Sequence, residues 1–261
     1  MQLSCFVLPA QAAQQDWEEL DTGLGLKISS FRNNPSGIII LRIDPTVYDF
    51  ILCSAAEQKN MPYSLSQWAK IKNLDAAINA SMYLTDGLTS TGYLRQGSYI
   101  NNGRISKKFG AFFAANANKP ALPSAVLLER ETPNLQETLA NYGLVIQNYR
   151  LTNSAGKIMW PAAGPEHRTA AVGIDGQGRI LFLFCAVPVP VHALAQELLK
   201  LPIDLRTSMY VEGGSQAGLY IRAQHGQIEN TVTSLFTLFG LTHEPLLPNV
   251  LGIRKKGKKS E

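Results

Sequence analysis

A carboxylate stands at the end of an apolar segment, directly before two glycines. Residues 209–211 read Met-Tyr-Val, and Glu212 then precedes Gly213, Gly214 and Ser215. Glycines permit unusual backbone dihedral angles and leave backbone N–H groups open to a ligand. A carboxylate in this setting can act as a general base, a nucleophile or a metal ligand. The pattern also fits a glycine-rich turn with an exposed glutamate, so this segment alone leaves both roles open.

Two other segments place a polar side chain next to a predicted strand. Arg168 stands directly before an apolar strand, and a guanidinium can bind two phosphate oxygens at once. The imidazole of His167 beside it can exchange a proton near neutral pH. Asn79 ends a predicted buried strand, and the small residues Ala80 and Ser81 after it permit close approach of a ligand. A charged loop and an asparagine-supported turn are the structural alternatives for these two segments.

The elements that must position these side chains are mostly strands. Turn residues between apolar runs predict two hairpins, one of strands 37–43 and 48–54 and one of strands 169–174 and 179–185. Helices are predicted at 64–72, 135–141 and 191–199, and further strands at 75–79, 92–95, 104–106, 110–114, 124–128 and 209–211, with 219–221 continuing the sheet of the last. This order predicts an α+β fold, a single domain with a mixed or antiparallel sheet and a few flanking helices.

Composition indicates one folded domain with a short tail. The 261 residues are 45% hydrophobic, which is enough for a sizeable core, and the charged fraction of 17% argues against disorder. The net charge of +4 arises partly from five Lys and Arg residues among the last eight, so the body is close to neutral and no nucleic-acid partner is expected. We predict a domain over 17–253 and a disordered basic tail over 254–261.

The first residues resemble the end of a secretory signal. An apolar run at 3–8 is followed by Pro9 and by the small residues of 10–13, which read Ala-Gln-Ala-Ala. We predict that residues 1–13 are the remnant of such a signal and that the protein is exported to the periplasm or outside the cell. No stretch approaches the roughly 18 apolar residues of a membrane span. Cys53 and Cys185 lie in apolar runs and are either buried thiols or a disulfide.

Taken together, the polar segments resemble the phosphodiester glycosidase family over residues 38–253. Asn79-Ala80-Ser81 matches the family's Asn-Gly-Gly or Asn-Ala-Gly strand end, and 143–147 matches its middle strand. Residues 168–173, Arg-Thr-Ala-Ala-Val-Gly, match its Arg-Thr-Ala-Val-Gly opening with one extra Ala, and 212–215, Glu-Gly-Gly-Ser, match its Asp-Gly-Gly-Gly-Ser turn. Ser81 replaces a usual Gly, and Glu212 replaces a usual Asp. The longer Glu side chain shifts the carboxylate by about one carbon–carbon bond, a displacement to which catalysis is sensitive.

The resemblance implies hydrolysis of a sugar joined through its anomeric oxygen to a phosphodiester. In that reaction Arg168 would bind the phosphate and His167 would assist. Glu212 would activate water or support the oxocarbenium-like centre, and Asn79 would bind a sugar hydroxyl or position Glu212. The expected substrate contacts are Ser81, Tyr83, Thr169, Gly213, Gly214 and Ser215. No cofactor is expected, and a divalent metal stays open although no cluster of ligands supports one.

Two other functions fit the same sequence. A protein that binds phosphoglycan or another cell-envelope glycan without cleaving it would use the same cleft, and the two departures at Ser81 and Glu212 keep this alternative open. A structural protein of the envelope would leave the cleft without a preferred small ligand. The identity of the sugar and of its partner across the phosphate, and the oligomeric state, are not set by the sequence.

Overall fold

The computed structural model describes residues 17–222 and 244–257, and the expected signal remnant at 1–13 lies outside them. The described part contains sixteen strands and three α-helices. The strands are β1 Glu18–Asp21, β2 Leu24–Phe31, β3 Asn34–Ile43, β4 Tyr48–Ser54, β5 Ala76–Asn79, β6 Leu94–Gln96, β7 Tyr99–Asn102, β8 Ala111–Ala117, β9 Ala125–Glu129, β10 Tyr142–Asn148, β11 Arg150–Thr152, β12 Glu166–Asp175, β13 Ile180–Pro190, β14 Leu205–Gly213, β15 Leu219–Ile221 and β16 Asn249–Lys255. The helices are α1 Leu65–Ile71, α2 Leu135–Ala140 and α3 Val191–Lys200.

The strands form three antiparallel sheets. A seven-stranded sheet has the order β1-β2-β3-β13-β12-β14-β11, a five-stranded sheet the order β7-β6-β10-β8-β9, and a four-stranded sheet the order β15-β5-β16-β4. Each ladder between neighbouring strands is antiparallel. With only three helices beside them, the sheets confirm the predicted α+β class and the antiparallel pairing.

All three sheets face one hydrophobic core. Phe50 of the four-stranded sheet makes edge-to-face contacts with Phe113 of the five-stranded sheet and with Phe182 of the seven-stranded sheet, at ring-centroid distances of 5.1 and 6.4 Å. All three rings are fully buried. Such aromatic pairs add about 0.5–1.5 kcal/mol each beyond the burial of their area. The core therefore fixes the three sheets relative to one another, and with them the positions of their strand ends.

Each sheet carries one helix on its outer face. Leu194 and Leu198 of α3 pack on the seven-stranded sheet, Trp68 of α1 on the four-stranded sheet, and Leu139 of α2 on the five-stranded sheet. Ser64 caps α1, since the Ser64 side chain accepts a hydrogen bond from the Gln67 N–H and the Gln67 side chain accepts one from the Ser64 N–H. None of the described helices has the length and apolar character needed to cross a membrane.

One predicted hairpin is confirmed and the other is wrong. β12 and β13 form the hairpin expected for 169–185, although β12 begins at Glu166 and so includes the basic pair that precedes the predicted strand. β3 and β4 do not pair, because β3 lies between β2 and β13 while β4 joins β16 in another sheet. Both faces of β3 are buried, so its partners are chosen by packing on two sides and not by the adjacent turn.

Three further expectations are corrected, and the open alternative for the two cysteines is decided. Residues 219–221 form β15, but it pairs with β5 and does not continue the sheet of β14. Residues 104–106 are not a strand. β16 continues to Lys255, because Arg254 and Lys255 pair with Asp49 and Tyr48, so the predicted tail at 254–261 includes two residues of a sheet. Cys53 and Cys185 are free thiols buried in separate clusters, so the disulfide alternative is wrong.

Two amide side chains join the four-stranded sheet to the five-stranded sheet. β4 is an edge strand, and its outward backbone groups accept side-chain partners in place of another strand. The Asn116 side chain accepts a hydrogen bond from the Phe50 N–H (3.1 Å) and donates one to the Phe50 carbonyl (2.6 Å). The Gln96 side chain accepts a hydrogen bond from the Leu52 N–H at 2.6 Å. These bonds satisfy an edge that would otherwise remain unpaired inside the molecule.

Replacing Asn116 with Leu should destabilise the protein by about 2–4 kcal/mol, because two backbone groups of Phe50 lose their partners. Asn116 has a φ of 58°, a left-handed conformation that leucine tolerates poorly. The free energy of unfolding from chemical denaturation measures the effect. Asn116→Gly, which tolerates this φ, should lose less, and Asn118→Ala at an exposed position should lose little. A Leu variant as stable as the wild type would show that the amide does not join the sheets.

Candidate active site

Strand ends from all three sheets meet at one rim of the core. Asn79 ends β5 of the four-stranded sheet, Asn148 ends β10 of the five-stranded sheet, and Glu212 lies near the end of β14 in the seven-stranded sheet. The Asn148 amide donates a hydrogen bond to the Ala80 carbonyl at 3.0 Å. The Tyr210 N–H donates to the Tyr149 carbonyl at 3.0 Å. These bonds tie the end of β10 to the ends of the other two strands.

Asn79 holds the loop that follows the glycine pair. Its side-chain amide donates to the Gln216 carbonyl at 3.0 Å, and its side-chain oxygen accepts from the Gly218 N–H at 2.9 Å. Asn79 itself is buried. Both ends of the side chain are therefore engaged with backbone, which fits the positioning role more closely than direct contact with a sugar. The loop it holds contains the short 3-10 turn Gly214–Gln216, with Ser215 exposed on it.

A β-bulge brings Glu212 into the site. Along β12, Ala171 pairs with Tyr210 and Ala170 pairs with Glu212, so Val211 is an extra residue on β14. A second irregularity lies between β12 and β13 at His167 and Thr169. Bulges bend a strand and redirect side chains, and they are frequent beside active sites. Two of them in adjacent ladders place the irregular part of the sheet at the predicted functional residues.

Gly213 gives His167 and Tyr210 the space to approach each other. Gly213 pairs with Thr169 across the ladder. A Cβ on Gly213 would lie 2.6 Å from Cε1 and 2.8 Å from Nδ1 of His167 and would overlap the Tyr210 hydroxyl. The His167 and Tyr210 rings lie edge to face at 6.4 Å, and Tyr210 also packs on Trp160. Glycine is thus needed at this position because an imidazole and a phenol occupy the place of a side chain.

The hydrogen bonding of His167 determines which ring nitrogen is free. Nδ1 lies 2.8 Å from the Arg168 carbonyl. A carbonyl oxygen can only accept, so Nδ1 carries the hydrogen and donates it. The Thr169 hydroxyl lies 3.4 Å from the same nitrogen. The neutral imidazole therefore presents Nε2 as a proton acceptor, and its orientation is fixed by the backbone of the next residue.

Burial makes the Glu212 carboxyl a weaker acid than an exposed glutamate. Desolvation raises its pKa to about 7, and the Gly213 N–H, which donates to Oε1 at 2.9 Å, opposes the shift. Burial raises the pKa of the Tyr83 and Tyr210 hydroxyls, and the charge of Glu212 raises them further. Both phenols therefore stay protonated beside a carboxyl group that can gain or lose a proton near neutral pH.

Arg168 lies on β12, the strand that pairs with the end of β14. It follows His167 on β12 and is partly exposed. Among the described residues no carboxylate pairs with its guanidinium. Its forked donors are therefore available to an anion from solvent.

The structure brings together most of the residues expected from the sequence. Direct contacts join His167, Thr169, Gly213 and Glu212. The Asn79 side chain bonds to the backbone of the loop that follows Gly214. The charge of Glu212 raises the pKa of the Tyr83 hydroxyl. Ser81 is buried directly after Asn79 and Ala80, and its hydroxyl has no hydrogen-bond partner among the described residues. Across 17–222 and 244–257, no group of three or more His, Cys, Asp or Glu side chains could hold a metal ion.

Sequence reasoning missed Tyr210 and Asn148. Tyr210 was included only as part of an apolar strand, although it stands two residues before Glu212 and touches the same glycine. Asn148 follows the apolar run 144–146 and Gln147, so it repeats the signal of Asn79, an amide at the end of a buried strand. That signal could have identified it. The bulge that redirects Glu212 has no counterpart in the local sequence.

Replacing Gly213 with Ala should displace the His167 and Tyr210 rings and lower stability by about 1–3 kcal/mol, as expected for overpacking in a filled site. Thermal unfolding and the ring proton signals of His167 in NMR spectra would report the change. The matched variant is Gly214→Ala, because Gly214 has open space for a Cβ but a φ of 71°. It should strain the backbone without moving the His167 signals. Unchanged His167 signals in Gly213→Ala would contradict the proposed packing.

Replacing Glu212 with Gln should stabilise the protein at pH 8 by roughly 3 kcal/mol, since a pKa of about 7 in the fold against 4.5 unfolded makes the buried charge costly. The sign follows because a raised carboxyl pKa contributes stability fully below pH 4.5 and loses it as the pH rises through 7. The difference between the variant and the wild type should therefore vanish near pH 4. Denaturant titrations at both pH values test this, and a difference that does not depend on pH would sink the assignment.

Comparison with known proteins places the fold and the family. The family model described as NAGPA, phosphodiester glycosidase, matches residues 72–254. The catalytic domain of zebrafish N-acetylglucosamine-1-phosphodiester alpha-N-acetylglucosaminidase, auto-inhibited by its pro-peptide, is similar at 13% identity and a TM-score of 0.59, with 89% of this chain and 83% of that chain covered. A hypothetical protein from Synechocystis is similar at 11% identity and a TM-score of 0.57, with 89% and 62% covered.

A third solved structure, an exported protein from Burkholderia pseudomallei K96243, is similar at 8% identity and a TM-score of 0.51, with 83% and 73% covered. At these identities the solved structures show a shared fold and no more. No curated protein sequence matches the chain. The family model covers well over half of the chain and includes Asn79, Arg168 and Glu212. The chain therefore belongs to the phosphodiester glycosidase family.

Proposed function

We propose that this protein hydrolyses the bond between a sugar and a phosphodiester, with Glu212 as the group that handles the proton. The observation that carries the proposal is the partly buried Glu212 carboxyl, whose pKa desolvation raises to about 7. Arg168 lies on the strand that pairs with the strand of Glu212, and its guanidinium pairs with no carboxylate among the described residues. A carboxyl with this acidity is suited to proton transfer near neutral pH. The family and the fold of the zebrafish domain support the same reaction class.

The leaving group explains why a single carboxyl and an arginine can suffice. Ordinary glycosidases use two carboxyl groups, one of which protonates the departing oxygen. A phosphate monoester departs as a stable anion and needs less help from an acid. Arg168 would bind its oxygens and stabilise the charge that develops as the C–O bond breaks. His167, held through Nδ1, would add a hydrogen bond from Nε2 when it is protonated.

Water would complete the reaction at the anomeric carbon. The ionised Glu212 carboxylate would take a proton from the attacking water as the new C–O bond forms, and the phosphate would leave with the electron pair of the old one. The products are the free sugar and a phosphate monoester, so atoms and charge balance. Asn79 would keep the Gly213–Gly214 turn in place through its two backbone hydrogen bonds. Thr169 and Ser215 would add contacts at the edge of the site.

We also propose that the protein acts outside the cytoplasm. The support is the signal-like composition of residues 1–13 together with the fold shared with an exported protein of Burkholderia pseudomallei. A glycan or glycoconjugate of the envelope would then be the natural substrate class. N-terminal sequencing of the protein recovered from the culture medium or the periplasm tests this proposal. A chain that starts after residue 13 supports export.

Glu212→Gln should lower sugar release from a sugar-1-phosphodiester such as UDP-GlcNAc by about 100-fold or more, the usual loss when a general base is removed. In the wild type, kcat/KM should rise with pH through about 7, since the reaction needs the ionised carboxylate. Assays of released sugar across pH 5–9 measure both effects. The variant should lose this rise together with its activity.

The matched control is Glu166→Gln, which neutralises an exposed carboxylate on the neighbouring strand β12 and should leave turnover unchanged. Full turnover by Glu212→Gln would remove Glu212 from the mechanism. If the wild type binds a panel of such diesters but releases no sugar from any of them, the non-catalytic glycan binder replaces the enzyme as the better explanation.

A further inference from the structure

Three buried polar atoms around the end of β5 lack a hydrogen-bond partner among the described residues. They are Ser81 Oγ, Asn148 Oδ1 and Gln216 Oε1. Ser81 is 2% exposed and Asn148 is fully buried. An unsatisfied polar group inside a protein costs about 1–3 kcal/mol, so three in one region are a substantial cost. Such a cost is typical of a place that a ligand completes.

The three atoms belong to residues that lie on segment 79–81 or hydrogen-bond to it. Ser81 follows Ala80, and the Ala80 carbonyl accepts the hydrogen bond of the Asn148 amide at 3.0 Å. The backbone carbonyl of Gln216 accepts the hydrogen bond of Asn79 at 3.0 Å. Because the Asn148 nitrogen is committed to Ala80, its orientation leaves the oxygen as the free atom. The residues around 79–81 therefore present two amide oxygens and one hydroxyl without partners.

The chemistry of these atoms favours hydroxyl groups over phosphate. Amide oxygens can only accept hydrogen bonds, and the oxygens of a phosphodiester can only accept them as well. A sugar hydroxyl can donate to an amide oxygen and also accept from the Ser81 hydroxyl. Arg168, in contrast, offers only donors and a positive charge, which suit phosphate. The two groups of residues thus differ in the half of the substrate that each can bind.

We propose that Ser81, Asn148 and Gln216 form the sugar subsite of this protein, in which the sugar's hydroxyls satisfy the three unpaired atoms while the phosphate lies toward Arg168. The inference rests on the proposed function for its substrate, since it assigns the two halves of that substrate to different residues. Ser81 stands where glycine is usual in the resemblance described above, so its hydroxyl makes this subsite a feature of this chain and a determinant of which sugar fits.

Ser81→Ala tests the proposal through thermal stability, which should not fall, and through sugar affinity, which should fall. Thermal stability should stay the same or rise, since the variant removes a buried hydroxyl that has no partner in the free protein. Affinity for the free sugars N-acetylglucosamine and glucose, measured by calorimetry, should fall about three- to tenfold for the sugar that binds, the usual worth of one hydrogen bond. Affinity for inorganic phosphate should not change. Gln216→Leu should give the same pattern, and Gln216→Glu, which keeps an acceptor, should retain more sugar affinity.

Ser90 provides the matched control for stability. It is also fully buried, but its hydroxyl accepts a hydrogen bond from the Gly92 N–H at 3.3 Å. Ser90→Ala should therefore lower stability by an amount that Ser81→Ala does not. A loss of stability in Ser81→Ala with unchanged sugar affinity would mean that the hydroxyl binds a structural water, and the proposal would fall. It would fall equally if the wild type binds neither sugar.

The experiment separates this inference from the proposed function. Sugar affinity that depends on Ser81 in a protein without turnover would keep the subsite and reject the hydrolase. The opposite result is that Glu212→Gln abolishes turnover while the Ser81 and Gln216 variants change neither KM nor inhibition by free sugar. That result would support the hydrolase and reject the subsite. An effect of Ser81→Ala on kcat alone, with KM and sugar affinity unchanged, would also reject it, because a binding role must change affinity.

Discussion

The packing of Phe50 against Phe113 and Phe182 is the constraint on which the rest of the structure depends. One ring from each sheet meets in the core, so the three sheets cannot turn or slide independently. The ends of strands from different sheets are consequently held at one rim. Asn79 and Glu212 are 133 positions apart in the chain, yet the Asn79 side chain bonds to the backbone of the loop that follows Glu212. The relative positions of the site residues are therefore fixed by packing in the core and not by any local motif.

The same rim contains polar groups whose burial lowers the stability of the fold. Glu212 is a partly buried carboxyl that accepts a hydrogen bond from the Gly213 N–H, and Ser81 and Asn148 carry polar atoms without partners among the described residues. Apart from these atoms and Gln216 Oε1, only Arg150 Nε is a buried side-chain N or O atom without a partner among the described residues. Other buried groups are paired, as in the Thr152 and Ser208 hydroxyls, which bond to each other at 2.7 Å. A concentration of unfavourable groups in one place, within an otherwise satisfied core, is the pattern expected where selection has favoured activity over stability.

Glutamate in place of the usual aspartate is compatible with this arrangement. The β-bulge at Val211 changes how the end of β14 presents its side chains, so the backbone itself sets where the longer side chain reaches. The Gly213 N–H then donates a hydrogen bond to Oε1 of this longer side chain. The solved structures at 8–13% identity share the fold alone, whereas the proposed catalysis depends on these contacts and on the raised pKa of Glu212.

The sequence by itself determined the local features of this protein. The cap of α1 at Ser64, the end of β5 at Asn79 and the β12–β13 hairpin all depend on residues close together in the chain, and each was predictable from side-chain pattern and turn chemistry. The α+β class followed from the order of these elements. The residue types of the site were also readable, because glycine pairs and polar strand ends are local signals.

Only the tertiary structure decided which strands became neighbours and what the site could do. β3 and β4 separate into different sheets, and β15 joins β5, because partners are chosen by burial of both strand faces against residues far away in the chain. The acidity of Glu212 depends on how much water its neighbours exclude, which no local pattern encodes. Tyr210 lies in the site for the same reason, because long-range packing places it there. Asn148 carried a local signal, an amide at the end of a buried strand, but only packing determined that it contacts Ala80.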